Sequence, residues 1–191
     1  ETRSVGRTLY ARQILANGAR TALISSIGPG FELHFFEGRD KRKLWPLFWI
    51  NNKILMSWRP IFENYKKTVL WAGDQTLRYM PGSSLGLDPL AQRLFQWTPK
   101  GWTRFQIVQH YLGGMIAGFV QLNILPSVFS AAHIALIART APKTDDDYIA
   151  AGRVIQRFWL TATTRGILHQ PYFLPIAMSR HAKYGIPGFP K

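Results

Sequence analysis

Two clusters of residues have the types and spacing to hold an anionic or planar ligand. Arg3-Ser4-Val5-Gly6-Arg7 sets two guanidiniums and a hydroxyl close together near the first residue of the chain. A guanidinium is a planar fork that meets phosphate oxygens two at a time, so this composition suits a phosphate contact; it equally suits a solvated cluster of charge. Gly166-Ile167-Leu168-His169-Gln170-Pro171-Tyr172-Phe173 combines proline with aromatic rings after a helical stretch. Held extended, it offers backbone amides and flat faces to a planar ligand, while a helix exit running into an edge strand is the plainer use of the same string.

Other chemistries lack their residues. His34, His110, His133, His169 and His181 lie far apart with no HExxH or His-x-His pairing, which argues against a metal site. Ser130 stands near His133, but no GxSxG accompanies it and no acid lies nearby, so a hydrolase triad has no anchor. His110 and His133 read as hydrogen-bonded polar residues within apolar segments. Gly28-Pro29-Gly30 runs into Phe31–Phe36 without the strand, GxGxxG and helix order of a dinucleotide fold. The chain has no cysteine, which excludes disulfides, thiolate zinc, iron–sulfur clusters and a cysteine nucleophile. Redox chemistry would therefore need a bound cofactor.

The elements that must position these residues follow from periodicity and from proline and glycine. Leu9–Ser25 reads as a helix ended by Gly28-Pro29-Gly30, and Phe31–Phe36 alternates as a strand with Glu32 and His34 on one face. Gly38-Arg39-Asp40 turns the chain. Lys43–Asn64 carries Trp45, Trp49, Trp58 and many aliphatic residues and reads as helix broken near Pro60. Pro81–Asp88 reads as a loop, and Pro89–Trp97 as a short helix capped by Asp88. Phe105–Ala138 holds no Asp, Glu, Lys or Arg, yet polar residues interrupt it well short of the roughly 20 apolar residues of a membrane span. It reads as two buried elements, Gly113–Leu125 and Phe129–Ala138, separated by Pro126-Ser127.

The clearest helix is Tyr148–Gly166. Thr144 and Asp145–Asp147 supply the capping oxygen and the negative charge favoured at a helix N-terminus. Tyr148, Gly152, Ile155, Trp159, Ala162 and Gly166 share a stripe, with Arg153 and Arg157 one turn apart beside it. Gly166 is placed to end the helix in left-handed backbone. Pro171 and Pro175 keep the next segment extended, and residues 180–191 read as a basic extended tail.

A chain of 191 residues with 47% hydrophobic content is no disordered tail and suits one domain. Its formal charge of +14, from 24 Lys+Arg against 10 Asp+Glu, points to nucleic acid, an anionic membrane surface or an acidic partner. The basic residues come as singles and pairs with no nucleic-acid-binding motif, so there is no specific nucleic-acid signal. After Asp88 the only acids are Asp145, Asp146 and Asp147, a lopsidedness that fits an acidic partner segment or simply a basic solvated surface. Glu1–Leu15 has no apolar run like a signal peptide, and the chain reads as a processed or partial cytoplasmic protein.

Asp147-Tyr148-Ile149-Ala150-Ala151-Gly152-Arg153-Val154-Ile155-Gln156-Arg157-Phe158-Trp159-Leu160-Thr161-Ala162-Thr163, with Gly166-Ile167 and Gln170-Pro171, resembles the late helix and exit of flavin-dependent nitroreductase-like proteins. The nearest branch is the divergent one sometimes fused to an adenylating, ThiF-like domain. Arg3-Ser4-Val5-Gly6-Arg7-Thr8-Leu9-Tyr10 resembles that branch's internal arginine motif, Ser84–Asp88 its loop before a helical region, and Pro126–Ile137 its apolar strand. The family's Ala-Pro-Ser-x-x-Asn-x-Gln-Pro-Trp type segment has no match, so the chain resembles the C-terminal half of such a protein.

The resemblance implies an α+β, nitroreductase-like fold over 1–191, with a central, mostly antiparallel sheet covered by helices. It implies FMN as cofactor, in a cleft completed by a second copy in a homo-oligomer or by a complementary chain. Arg3, Ser4 and Arg7 would lie near the FMN phosphate. Gln170, Pro171, Tyr172 and Phe173 would face the flavin ring, and Arg180 and Lys183 would stand where late phosphate ligands occur. The implied activity is flavin-mediated transfer to or from a small organic substrate, with no catalytic side chain assigned, because the flavin carries the electrons. Two other readings remain open: a non-catalytic nitroreductase-like scaffold binding a protein through its Trp-rich Lys43–Trp71 region, and a basic domain on a membrane surface or on nucleic acid.

Overall fold

The computed structural model describes residues 10, 13–70, 80–82, 92–93 and 96–185. In chain order its main elements are α1 (Asn17–Ile27), β1 (Phe31–Glu37), α2 (Trp45–Ser57), α3 (Arg59–Thr68), β2 (Val69–Leu70), β3 (Met80–Pro81), α4 (Trp102–His110), α5 (Gly114–Phe119), α6 (Leu125–Phe129), β4 (Ala132–Ala138), α7 (Asp145–Thr164) and α8 (Leu174–Tyr184). The protein is thus α+β and mostly helical. It divides into two units, Glu1–Lys43 with Ser127–Pro171 and Leu44–Pro126 with Tyr172–Lys191.

The first unit pairs β1 with β4 antiparallel, from Phe31 opposite Ala138 to Glu37 opposite Ala132. The alternation read in Phe31–Phe36 is observed: Glu32 and His34 are exposed while Phe31, Leu33 and Phe35 are half-buried. β4 is half-buried rather than buried, because a two-stranded ladder is too narrow to cover both of its faces. α1 packs along α7, with Leu23 and Ile27 of the one and Val154 and Ala162 of the other as the buried apolar positions. The first helix begins at Asn17, not Leu9, since Ala16 is extended; Leu9 lies outside the described residues. The Arg20 guanidinium pairs with the Glu37 carboxylate and lies 4.4 Å from the Phe35 ring centre.

α7 confirms its N-terminal signal. The Thr144 hydroxyl accepts from the Asp147 N–H, and the Asp147 carboxylate accepts in return from the Thr144 and Lys143 N–H groups. These bonds hold the Asp147 carboxyl below its usual pKa. The buried stripe differs from the expected one: Tyr148 and Gly152 are exposed, and Val154 and Ala162 lie deepest. Gly166 adopts φ +67°, which a side chain would strain, and the Ile167 N–H closes back on the Ala162 carbonyl at 2.9 Å.

In the second unit the break near Pro60 falls at Trp58, which is extended between α2 and α3. Proline lacks the N–H that would continue α2 and is tolerated in the first turn of α3, where it sits. Phe62 and Phe105 pack at 5.0 Å between ring centres, with Met56, Tyr65 and Trp102 around them. α4 turns into α5 through Gly113, at φ +70°, and Gly114 lies so close to Val108 that a Cβ would meet the Val108 carbonyl oxygen at 2.9 Å. β2 and β3 form a short parallel pair, Val69 opposite Met80 and Leu70 opposite Pro81.

Three expectations are corrected. Pro126-Ser127 does not separate two elements: helix continues from Gly114 to Phe129 through a π-helical turn at Val120–Ile124, in which the Leu125 N–H reaches the Val120 carbonyl. The widened turn accommodates Pro126, which has no N–H to give and whose ring would crowd a regular helix. Gly113–Leu125 is not buried either. Gly114 and Gly118 are buried, whereas Ile116 and Leu122 are exposed, as are Tyr111, by 82%, and Leu112 just before the segment. Finally, residues 174–184 form α8 rather than an extended segment and tail; Pro175 occupies its first turn and Gly185, at φ +61°, closes it. Of the expected Pro89–Trp97 helix, Gln92, Arg93, Gln96 and Trp97 are described and are helical; its other residues, the Asp88 cap and most of the Pro81–Asp88 loop lie outside the described residues.

Candidate functional site

The helix exit and α8 carry most of the sequence-predicted site. Gln170 and Pro171 are extended in the first unit, Gln170 exposed. Tyr172, Phe173, Arg180 and Lys183 belong to the second unit. Phe173 is the residue before α8 and is 52% exposed; Arg180 and Lys183 are exposed on α8 itself. Their spacing of seven and three residues puts Phe173, Arg180 and Lys183 on one face of the helix. Tyr184 joins that face, its ring centre 5.9 Å from the Arg180 guanidinium and 5.8 Å from the Lys183 ammonium. Arg3, Ser4 and Arg7 lie outside the described residues, as does Ser84–Asp88.

Tyr172 is held by amides that sequence reasoning missed. Its hydroxyl accepts from Asn51 Nδ2 at 2.8 Å and donates to Asn123 Oδ1 at 3.1 Å, and the Phe48 ring meets it edge-on at 5.2 Å. Burial pushes the Tyr172 pKa up, against the opposing effect of the Asn51 bond. Asn51, Asn52 and Gln109 are all buried in this unit, and the Gln109 amide makes no hydrogen bond among the described residues. Only their placement within apolar segments hinted at this.

The first unit holds a second polar cluster. Lys41, a residue type rarely buried, extends its ammonium to the carbonyls of Val128 and Ser130. His133 Nε2 bonds the fully buried Ser127 hydroxyl at 2.8 Å, so the partner of His133 is Ser127 and not the nearer-looking Ser130. Burial and, secondarily, the Lys41 charge lower the His133 pKa to about 4. The Ser127 hydroxyl is sealed from solvent and ties His133 to α6. His169, between Phe158 and Trp159, is likewise lowered by burial. Among the described residues no three His, Asp or Glu are grouped to hold a metal ion.

A shallow groove runs between α1 and the C-terminal half of α7, lined by small and hydroxylic residues of α1 and edged by Arg157 and Arg165. Among the described residues no single helix is long and apolar enough to cross a membrane; α4 and the helical run Gly114–Phe129 reach that length only together, bent by 77°.

No family model matches the chain, and no curated protein or solved structure matches it significantly.

Proposed function

We propose that the chain is part of an FMN-dependent, nitroreductase-like oxidoreductase acting on a small organic substrate. The observation that carries this reading is the exposed face of α8. Phe173, Arg180 and Lys183 stand on it in a line, a flat ring at one end and two cations about 10 and about 15 Å of helical rise further on. That order suits a ligand with an aromatic ring and a phosphate joined by a short chain, so these residues fit FMN in their chemistry. The flavin supplies the electron-accepting ring; the chain supplies stacking surface at Phe173 and charge for the phosphate at Arg180 and Lys183. The capped α7, its left-handed exit at Gly166 and the extended Gln170-Pro171 also agree with the string that resembles the family.

A partner chain belongs to this reading. Tyr111, Leu112 and Ile116 are exposed apolar residues close together in the sequence of the second unit. A second copy or a complementary chain covering them would complete the cleft.

The test is a titration of the purified protein, in its assembled state, with FMN followed by flavin fluorescence. Saturable quenching that is weakened by Arg180→Gln and Lys183→Gln together supports the reading. An assembly that stays colourless and leaves flavin emission unchanged overturns it. Light scattering on the same sample reads the partner: a mass equal to one chain, with no second component, removes the shared cleft.

A further inference from the structure

Arg157 and Arg165 edge one open groove within the first unit, and neither is used by the flavin reading. The groove has two adjoining parts of about 500 Å³ and 700 Å³, which share Ser25, Ser26 and Thr161. Arg157 and Thr161 are four residues apart on one face of α7, at about 6 Å of rise, and Arg165 is the residue that ends the helix one turn further on. Thr161 lies between them in sequence and lines both parts of the groove.

The bonding leaves these groups ready for an anion. Arg157 Nε donates to the Ser26 carbonyl at 3.3 Å, which ties the guanidinium across the groove and leaves its two Nη groups uncommitted. Arg165 makes no ion pair, and the Thr161 hydroxyl makes no hydrogen bond, among the described residues. No carboxylate lines the groove. On the α1 side Gly18 and Ala22 add no bulk to the groove, and the Thr21 and Ser25 hydroxyls donate to the Asn17 and Thr21 carbonyls of their own helix, so the arginines and Thr161 are what the groove offers an anion.

We propose that this groove binds a phosphomonoester, seated over Thr161 and forked between Arg157 and Arg165. Two guanidiniums match the charge of a dianion, their N–H forks match its oxygens, and Thr161 supplies a further donor. The open length of the groove leaves room for the organic part of the ligand along α1. The proposal does not rest on the flavin reading and is tested without flavin.

The experiment is thermal unfolding of the full chain in rising inorganic phosphate, with ionic strength held constant by chloride. The wild-type midpoint is expected to rise with saturation, and the Arg157→Gln/Arg165→Gln double variant is expected to lose affinity by about tenfold or more. The charge-matched Arg39→Gln/Arg139→Gln control should respond like wild type. An equal response of all three proteins, or a loss as large in the control, overturns the proposal, since either means that overall charge and no groove is read. Where the double variant fails to fold, amide shifts of the wild type decide: phosphate must move Thr161 and Ser25–Ser26, and shifts confined to other residues overturn the proposal. Phosphatidylcholine vesicles doped with phosphatidic acid separate the sources. Sedimentation dependent on the two arginines assigns a lipid-borne phosphate, and phosphate binding without sedimentation assigns a free one.

Discussion

The Lys41 ammonium lies 2.7 Å from the Ser130 carbonyl oxygen, and a second bond of 3.1 Å to Val128 completes its hold on the end of α6. A cation there meets carbonyls that the helix leaves without amide partners, so the burial of the lysine is compensated by charge-assisted bonds.

Lys41→Met should therefore destabilise the first unit by about 2 kcal/mol, the usual worth of a hydrogen-bonded charge. It should also raise the His133 pKa, because the Lys41 charge contributes to its depression, without restoring the ordinary value, because burial is the larger cause. Denaturant unfolding reads the first effect and an NMR titration of the His133 ring the second. A His133 titration unmoved by the substitution would show that the ammonium's charge is not felt at the ring.

Acid should weaken the fold before the carboxylates are protonated. His133 has a folded pKa of about 4 against an ordinary 6.5, so below pH 6.5 the unfolded chain takes up a proton that the folded chain refuses. Stability is full above pH 6.5, falls as pH drops toward 4, and loses roughly 3 kcal/mol on this account, with no further loss from His133 below that. Unfolding midpoints measured across this window should slope in wild type and flatten in His133→Asn. Equal slopes in the two proteins would contradict the assignment.

Gly114→Ala should cost about 1–3 kcal/mol by overpacking, since the added carbon would lie 2.9 Å from the backbone oxygen of Val108, which cannot swing aside as a side chain can. Gly118→Ala, where nothing lies within 4 Å, is the matched control and should be near neutral. Thermal unfolding of the pair checks the difference.

Trp159→Ala should cost roughly 2 kcal/mol, less than the loss expected of a fully buried tryptophan, because Trp159 is half-buried. The substitution also removes the ring that meets His169 at 4.7 Å. Part of the burial that lowers the His169 pKa then disappears, so that pKa should rise toward 6.5. A His169 titration identical to wild type would place the depression elsewhere.

Thr144→Ala removes the hydroxyl that accepts from the Asp147 N–H and should cost about 1 kcal/mol of α7 stability. Hydrogen exchange at the first turn of α7 should quicken while exchange at Val154 and Ala162 changes little.

What could be read from the residues alone was whatever depends on neighbours in sequence. The Thr144–Asp147 cap, the left-handed Gly166, the alternation of Phe31–Phe36 and the break before Pro60 are all decided within a few positions. Burial was misjudged where absence of charge stood in for it. Tyr111, Leu112 and Ile116 lie in an uncharged stretch and still face outward, because the small residues Gly114 and Gly118 take the inward positions. Pro126 misled for a related reason: proline forbids a regular helix, and the chain answered with a wider turn. Of the candidate site, Phe173 and the pair Arg180 and Lys183 are legible as separate residues, but that they share a helical face depends on α8 forming at all. Lys41 and Ser127 gave no local signal, since their partners are tertiary.

The pairing of β1 with β4 sets an order of events during synthesis. Phe31–Glu37 leaves the ribosome first and stays an open edge until Ala132–Ala138 emerges, and Leu44–Pro126, the larger part of the second unit's chain, is made in between. Closing that ladder joins ends separated by on the order of a hundred residues, an entropic cost that falls sharply if the intervening segment has already condensed. The ladder is thus completed late, by a strand that meets a partner already waiting for it.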